Sequence, residues 1–230
     1  RRIRQLKLKD FSSYIKLIES AKDPEFDEFL NTITTNLTSF FREEHHFKFL
    51  RETIFPILQS NRTDPVRIWS AGCSTGEEPY SIALTVQKYY AQPKKVRILA
   101  TDLDANVLKH GREGHYDASR VEGIDTSLFK GHFVRDRQSG AITAKDSLKQ
   151  MIKFNRLNLL GDWPMTKQFD VIFCRNVLIY FDKETQTRLV DRYVNQLKPK
   201  GYLIIGHSEN ITRLNDDLKF IGQTIYQKKT

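Results

Sequence analysis

The apolar positions divide the chain into two regimes. In residues 1–60 they recur at steps of three and four. Phe26, Phe29, Leu30, Ile33 and Leu37 fall on one helix face, and Phe47, Leu50, Ile54 and Phe55 on the inward face of a second helix over about 45–58. Between them, 34–42 is rich in Thr, Asn and Ser, whose side chains compete with helical backbone hydrogen bonds, so a break or bend is expected. Asn61-Arg62-Thr63-Asp64-Pro65 is turn chemistry and marks a boundary near residue 61.

Beyond that turn, short apolar runs alternate with amphipathic stretches. Residues 66–70 read as a strand that ends in the loop Ser70-Ala71-Gly72-Cys73-Ser74-Thr75-Gly76. A helix follows from about 79, where Pro79 suits a first turn, to 90. Next come a strand at 96–101, Asp102-Leu103-Asp104 and a helix from about 105. This alternation predicts an α/β fold with a mainly parallel sheet. Residues 114–150 interrupt it: they are polar, carry Gly123, Gly131 and Gly140, and hold one small strand at 141–144, so they read as an insertion. The rhythm resumes with strands at 151–155 and 169–174 and a helix at 183–197. A turn at 198–201, a strand at 202–206 and a last strand at 220–227 complete it.

Composition narrows the class. With 39% hydrophobic and 28% charged residues among 230, the chain is globular rather than disordered. No apolar run reaches the roughly 18 residues of a membrane span, and Arg1-Arg2-Ile3-Arg4 leads into no apolar signal segment. Cys73 and Cys174 read as buried small hydrophobes in a reducing cytoplasm, not as a disulfide or a nucleophile. His45-His46 is only an adjacent pair whose side chains should diverge, so no metal site is expected. The formal charge of +9 favours acidic partners. Arg1, Arg2, Arg4, Lys7 and Lys9 against Asp10 form either a solvated helix face or a docking surface.

Candidate chemistry sits at the strand ends, where open parallel sheets bind ligands. The Gly72 loop lacks both the dinucleotide-binding and the phosphate-loop glycine spacing, which counts against hydride transfer and nucleotide hydrolysis. Asp102, at the end of the second strand, either accepts hydrogen bonds from ribose hydroxyls or caps the next helix. Asn158-Leu159 and Arg175-Asn176 follow later strands. An asparagine amide suits an adenine edge, and Arg175 after Val171-Ile172-Phe173 needs a partner such as a carboxylate. Together these point to a nucleoside-containing ligand across the top of the sheet.

Four longer blocks carry a more specific signal. Thr35-Asn36-Leu37-Thr38-Ser39-Phe40-Phe41-Arg42-Glu43 precedes His45-His46-Phe47, and Trp69-Ser70-Ala71 precedes Ser74-Thr75-Gly76-Glu77-Glu78-Pro79-Tyr80-Ser81. Phe169 to Phe181 reads FDVIFCRNVLIYF, and Gly206-His207-Ser208-Glu209-Asn210 follows. In this order they closely resemble the chemotaxis receptor methyltransferase family, CheR. The resemblance implies a Rossmann-like class I methyltransferase domain at 62–230 with an inserted antiparallel β-subdomain at about 114–150. It also implies a small helical N-terminal domain at 1–61, with the chain starting inside it. The implied cofactor is S-adenosylmethionine, and the implied product S-adenosylhomocysteine.

The resemblance also implies site residues: Asn36, Thr38 and Arg42 from the interdomain side, and Glu78, Asp102, Asn158, Leu159, Arg175 and Asn176 around the rest of the cofactor. Gly72 belongs to the loop that approaches the cofactor, and Gly72-Cys73 departs from the family pattern while staying small. Arg42 and Tyr180 are placed near the reactive sulfur, although Tyr180 also reads as a packed aromatic. The implied acceptor is a glutamate carboxylate on the cytoplasmic helical region of methyl-accepting chemoreceptors. Some relatives also dock a receptor C-terminal peptide on the β-subdomain. No nucleic-acid partner and no membrane insertion are expected, and the default is a monomer in the cytoplasm. Rival readings are a methyltransferase for nucleic acid or a small molecule, and a cofactor-binding signalling module without turnover.

Overall fold

The computed structural model describes residues 2–19, 25, 29, 37–59 and 64–230. The positions Phe26, Leu30, Ile33 and Asn36, and most of the turn at 61–65, lie outside them. Phe29 is helical, with its ring 6.2 Å from that of Tyr14. Leu37 departs from the expected buried helix face: it has no regular structure and is 75% exposed. The helix-breaking polar run already governs residue 37, and Phe40 takes the inward place instead.

The described helices begin with α1 (Arg2–Gln5) and α2 (Phe11–Ile18), the latter capped by Asp10, which accepts the Ser13 N–H. Then α3 (His45–Phe49) passes through a π-helical turn, Leu50–Ile54, into α4 (Phe55–Gln59). The wide turn immediately precedes Pro56, whose ring would clash with a carbonyl four residues back, and the Phe55 N–H reaches the Leu50 carbonyl instead. Phe47, Leu50, Ile54 and Phe55 are all buried, as the apolar spacing predicts. Later helices are α5 (Glu77–Tyr89), α6 (Ala105–Glu113), α7 (Asp146–Lys149) and α8 (Lys183–Gln196). None is long and apolar enough to cross a membrane.

The strands are β1 (Val66–Ala71), β2 (Val96–Asp102), β3 (His115–Tyr116), β4 (Phe133–Arg135) and β5 (Ile142–Ala144), then β6 (Ile152–Arg156), β7 (Phe169–Cys174), β8 (Leu197–Ile205), β9 (Leu218–Gly222) and β10 (Ile225–Lys228). The main sheet has the order β6-β2-β1-β7-β8-β10-β9. Its β6 to β8 portion is parallel, and β10 and β9 join antiparallel. The chain winds outward from β1 to β6 and then returns to place β7 on the other side of β1, so the order reverses between β1 and β7. That is where an open parallel sheet leaves a crevice.

Period-two alternation along the strands feeds two cores. Val66, Ile68, Val171 and Phe173 pack on one face with the α3–α5 side chains, while Trp69, Ala71, Ile172 and Cys174 pack on the other with Leu189, Val190 and Tyr193 of α8. The 114–150 interruption contains an antiparallel sheet, β3-β5-β4, whose Tyr116 and Phe133 rings pack against Phe40.

Three element expectations change. Helix α5 starts at Glu77 rather than 79, because left-handed Gly76 (φ 99°) turns the chain and the two acids open the first turn. The expected turn at 198–201 lies inside β8, as an irregularity between the pairs Phe169↔Leu197 and Val171↔Tyr202. Lys200 there is left-handed (φ 63°). The expected last strand is a hairpin, folded at Gly222, Gln223 and Thr224, all at positive φ.

Helix α6 is capped by Asp104, whose Oδ1 accepts the Asn106 N–H at 2.7 Å and the Val107 N–H at 3.3 Å. Asp104→Ala is expected to lower stability by about 1 kcal/mol. In thermal unfolding the midpoint should fall by about 2–4 °C.

Candidate active site

The carboxyl ends of β1, β2, β6 and β7 open into one cleft of about 530 Å³, within the range of small-molecule sites. Thr38, Arg42, Gly72, Glu78, Asp102, Asn158, Leu159, Arg175, Asn176 and Tyr180 all line it. Every candidate from the sequence is therefore in one place except Asn36, which lies outside the described residues.

The glycine loop is shaped by a close crossing. Gly72 has φ +82°, and a Cβ on it would lie 2.4 Å from Val177 Cγ2. The Gly72 and Cys73 N–H groups both donate to the Thr101 carbonyl, at 2.8 and 2.9 Å, which pins the loop to β2. Cys73 and Cys174 are buried, and burial pushes both thiols well up, consistent with small hydrophobes. Asp102 accepts the Ser74 N–H at 2.8 Å and the Asp104 N–H at 3.1 Å. Burial raises its pKa against these hydrogen bonds. The helix-capping role open to Asp102 belongs to Asp104 instead.

Beneath the cleft lies a buried charge cluster. Arg175, 6% exposed, reaches Glu78 Oε2 with Nη1 at 3.1 Å and Glu43 Oε2 with Nη2 at 3.4 Å. Its Nη2 also donates to the Arg42 carbonyl. The partner that a charge at the end of a buried strand requires is thus a pair of carboxylates. Glu78 takes a further hydrogen bond from Ser70 Oγ at 2.7 Å. Its burial raises the pKa, opposed by Arg175 and Ser70. Burial would also raise Glu43, but hydrogen bonds from His207 and the charge of Arg175 outweigh it and hold the pKa at about 2. His46, held at about 3 by burial and Arg175, is neutral, so Nε2–H donates to the Gln223 carbonyl at 3.0 Å.

His45 and His46 do not diverge as expected. Their ring centroids are 4.1 Å apart, and with Glu43 they bring three ligand atoms within 4.8 Å. They open α3, where no preceding helical turn keeps the rings apart. The Glu43 oxygens, however, already serve Arg175, Asn176 and His207. A guanidinium on the same oxygen opposes a second cation, so this cluster is an ion-pair hub.

The outer wall is less buried. Arg42 Nη1 donates to the Leu37 carbonyl at 2.8 Å. Tyr180, 59% exposed on a 3-10 turn after β7, is not a packed aromatic. The Asn158 Oδ1 accepts the Leu160 N–H at 2.9 Å, so part of its amide is spent on its own turn. From the 114–150 segment, Arg120 donates to the Thr38 carbonyl at 3.2 Å and pairs with buried Glu77 at 2.5 Å, which ties that segment to the cleft wall. Sequence reasoning gave no role to Glu43, Glu209, Arg120 or Val177. Glu43 and Glu209 lie inside the blocks that carry the resemblance, which was the signal available for them.

The decisive comparison is with a family model. The model for "CheR methyltransferase, SAM binding domain" matches residues 36–227. This chain belongs to the CheR methyltransferase family. Its relatives include chemotaxis protein methyltransferase 2 of Pseudomonas aeruginosa, 44% identical over 98% of this chain and 81% of that protein. The chemotaxis protein methyltransferase of Borreliella burgdorferi is 42% identical over 96% of this chain and 80% of its own length. That of Escherichia coli is 40% identical over 98% and 79%.

The CheR cleft fits S-adenosylmethionine on its own chemistry. Gly72, packed against Val177 at positive φ, presents bare main chain to the cleft. Arg175 Nε is buried without a hydrogen-bond partner among the described residues, a donor left for a ligand carboxylate. Asp102 offers a carboxylate to hydroxyls, and Glu78 one to an ammonium.

Two outcomes follow for the CheR cleft. Gly72→Ala should lower both stability and cofactor affinity, and adding Val177→Ala should recover only part of the loss, because the positive φ remains strained; thermal midpoints and calorimetry of the two proteins check this. Arg175→Met leaves Glu78 buried and Glu43 half-buried without their cation and should cost about 3–5 kcal/mol in cofactor-free denaturant unfolding.

Proposed function

We propose that this CheR-family enzyme methylates glutamate side-chain carboxylates of bacterial chemoreceptors, forming glutamyl methyl esters in chemotaxis adaptation. When bound, S-adenosylmethionine supplies an electrophilic methyl group on a sulfonium. Thr38, Arg42, Gly72, Glu78, Asp102, Asn158, Leu159, Arg175 and Asn176 are the residues that hold it, joined by Asn36.

The observation that carries the reading is that, among the described residues, neither acid lining the cleft is free to act as a general base. Among the described lining residues the acids are Glu78, engaged by Arg175 and Ser70, and Asp102, engaged by two backbone N–H groups. Among the described residues no histidine or lysine lines it. A hydroxyl or amine acceptor would need its proton removed, whereas a glutamate of pKa about 4.3 is already ionised at neutral pH. What such an acceptor needs is orientation and exclusion of water. Arg42 supplies orientation from the outer wall, and Tyr180 shapes the approach. Tight pairing with Arg42 would blunt the nucleophile, so its role is to orient.

The partner that fits is the glutamate-bearing helical region of the receptors, drawn by the +9 charge. On this reading the chain divides into a helical segment at 1–61 and a cofactor-binding domain at 62–230, acting as a monomer in the cytoplasm.

The test is transfer of radiolabelled methyl from S-adenosylmethionine to chemoreceptor-bearing membranes, followed by mild alkali. Label on the receptor band that leaves as methanol is the expected result. Label that resists alkali, or that appears on RNA instead, would reject the carboxylate acceptor. Arg42→Ala should then lose at least about tenfold in turnover with both substrates saturating, the size of a charge-assisted contact made in the transition state; full turnover would remove Arg42 from the mechanism.

A further inference from the structure

Behind the outer wall of the cleft sits a carboxylate without an assigned role. Glu209, 5% exposed, follows the end of β8. Its Oε2 accepts the Gly206 N–H at 2.6 Å and the Asn176 N–H at 3.0 Å, and its Oε1 accepts the Ile179 N–H at 3.2 Å. Among the described residues no basic side chain forms an ion pair with it, so three main-chain N–H groups stand in for water around this buried acid.

Two of these donors, Asn176 and Ile179, belong to the segment that forms the wall, and the third, Gly206, ties that segment to the end of β8. Asn176 and Tyr180 line the cleft, as does Ile179. Asn176 is left-handed (φ 58°), a conformation asparagine tolerates but does not favour. The crossing beside it is tight: a Cβ on Gly206 would lie 2.5 Å from Asn176 Nδ2 and 2.8 Å from its backbone N. Gln186 of α8 donates to the Leu178 and Phe181 carbonyls and so holds the far end of the same turn. The near end rests on Glu209.

We propose that Glu209 is a positioning residue for methyl transfer, because its carboxylate fixes the main chain of 176–179 and through it places Asn176 and Tyr180. It acts through the backbone and touches neither substrate. The inference rests on the methyltransferase reading of the cleft and is independent of which acceptor is used.

Glu209→Gln keeps the shape but replaces one acceptor oxygen with an NH2 that can only donate. The amide oxygen is expected to stay with the two donors at Asn176 and Gly206, leaving the Ile179 N–H opposite the NH2. Two readouts separate positioning from general structure. First, amide hydrogen exchange should speed up by at least about tenfold at Ile179, in keeping with one lost charge-assisted bond, while exchange inside β7 at Val171 and Phe173 stays at the parent rate. Second, turnover at saturating cofactor and receptor should fall by about tenfold or more, with the S-adenosylhomocysteine Kd in calorimetry within about threefold. Unchanged exchange at Ile179 overturns the proposal whatever the acceptor is. So does a loss of cofactor affinity that matches the loss of turnover, or a uniform rise in exchange across the sheet. If the glutamine protein does not fold, Glu209→Asp, which keeps the charge and shortens the reach, is put through the same two measurements with the same expected and overturning results.

Discussion

The cleft depends on one guanidinium buried between two carboxylates. Arg175 comes from the end of β7, Glu78 from the first turn of α5 and Glu43 from the segment before α3. Each alone would be a costly buried charge, and together they are tolerable only while all three chain segments meet at one point. Cation and carboxylates therefore act as a register mark. The Arg42 carbonyl, which also accepts from Arg175, brings the outer wall to the same point. A cleft built this way is preformed, with Arg175 Nε left without a partner among the described residues.

Close backbone crossings do the rest of the shaping. Gly72 passes against Val177, and Gly206 against Asn176. The first lies where strand order reverses, between the ends of β1 and β7, and the second between the ends of β7 and β8; at both the glycines let neighbouring loops approach more closely than side chains would allow. Main-chain N–H groups that these loops cannot give to the sheet go to carboxylates: Ser74 and Asp104 to Asp102, and Asn176, Ile179 and Gly206 to Glu209. One acid faces the cleft and the other lies behind its wall, and both hold loops by the same chemistry.

The parallel sheet was legible because each strand carries its own apolar run and each strand end its own polar break. That local signal placed Gly72, Asp102, Asn158 and Arg175 on one rim. It also showed that Arg175 needs a partner such as a carboxylate, but not which residue, since Glu43 and Glu78 are distant in sequence and nothing local marks either. The final hairpin was read as one strand because its turn, Gln223-Thr224, has no strong turn former beyond Gly222. Leu37 departs from its expected helix face because apolar spacing alone does not register the Thr, Asn and Ser residues around it. The His45–His46 contact was missed for a similar reason: helix geometry was applied at a position where the helix had only begun.

The central claim is that Arg175, Glu78 and Glu43 form one energetic unit. The most direct test is denaturant unfolding of Arg175→Met beside a triple variant that also carries Glu78→Met and Glu43→Met. If the account holds, the triple variant is more stable than Arg175→Met alone, because no carboxylate is left buried without its cation. If the three substitutions instead add as independent losses, leaving the triple variant the least stable, the residues do not act as a unit and the account of the cleft fails.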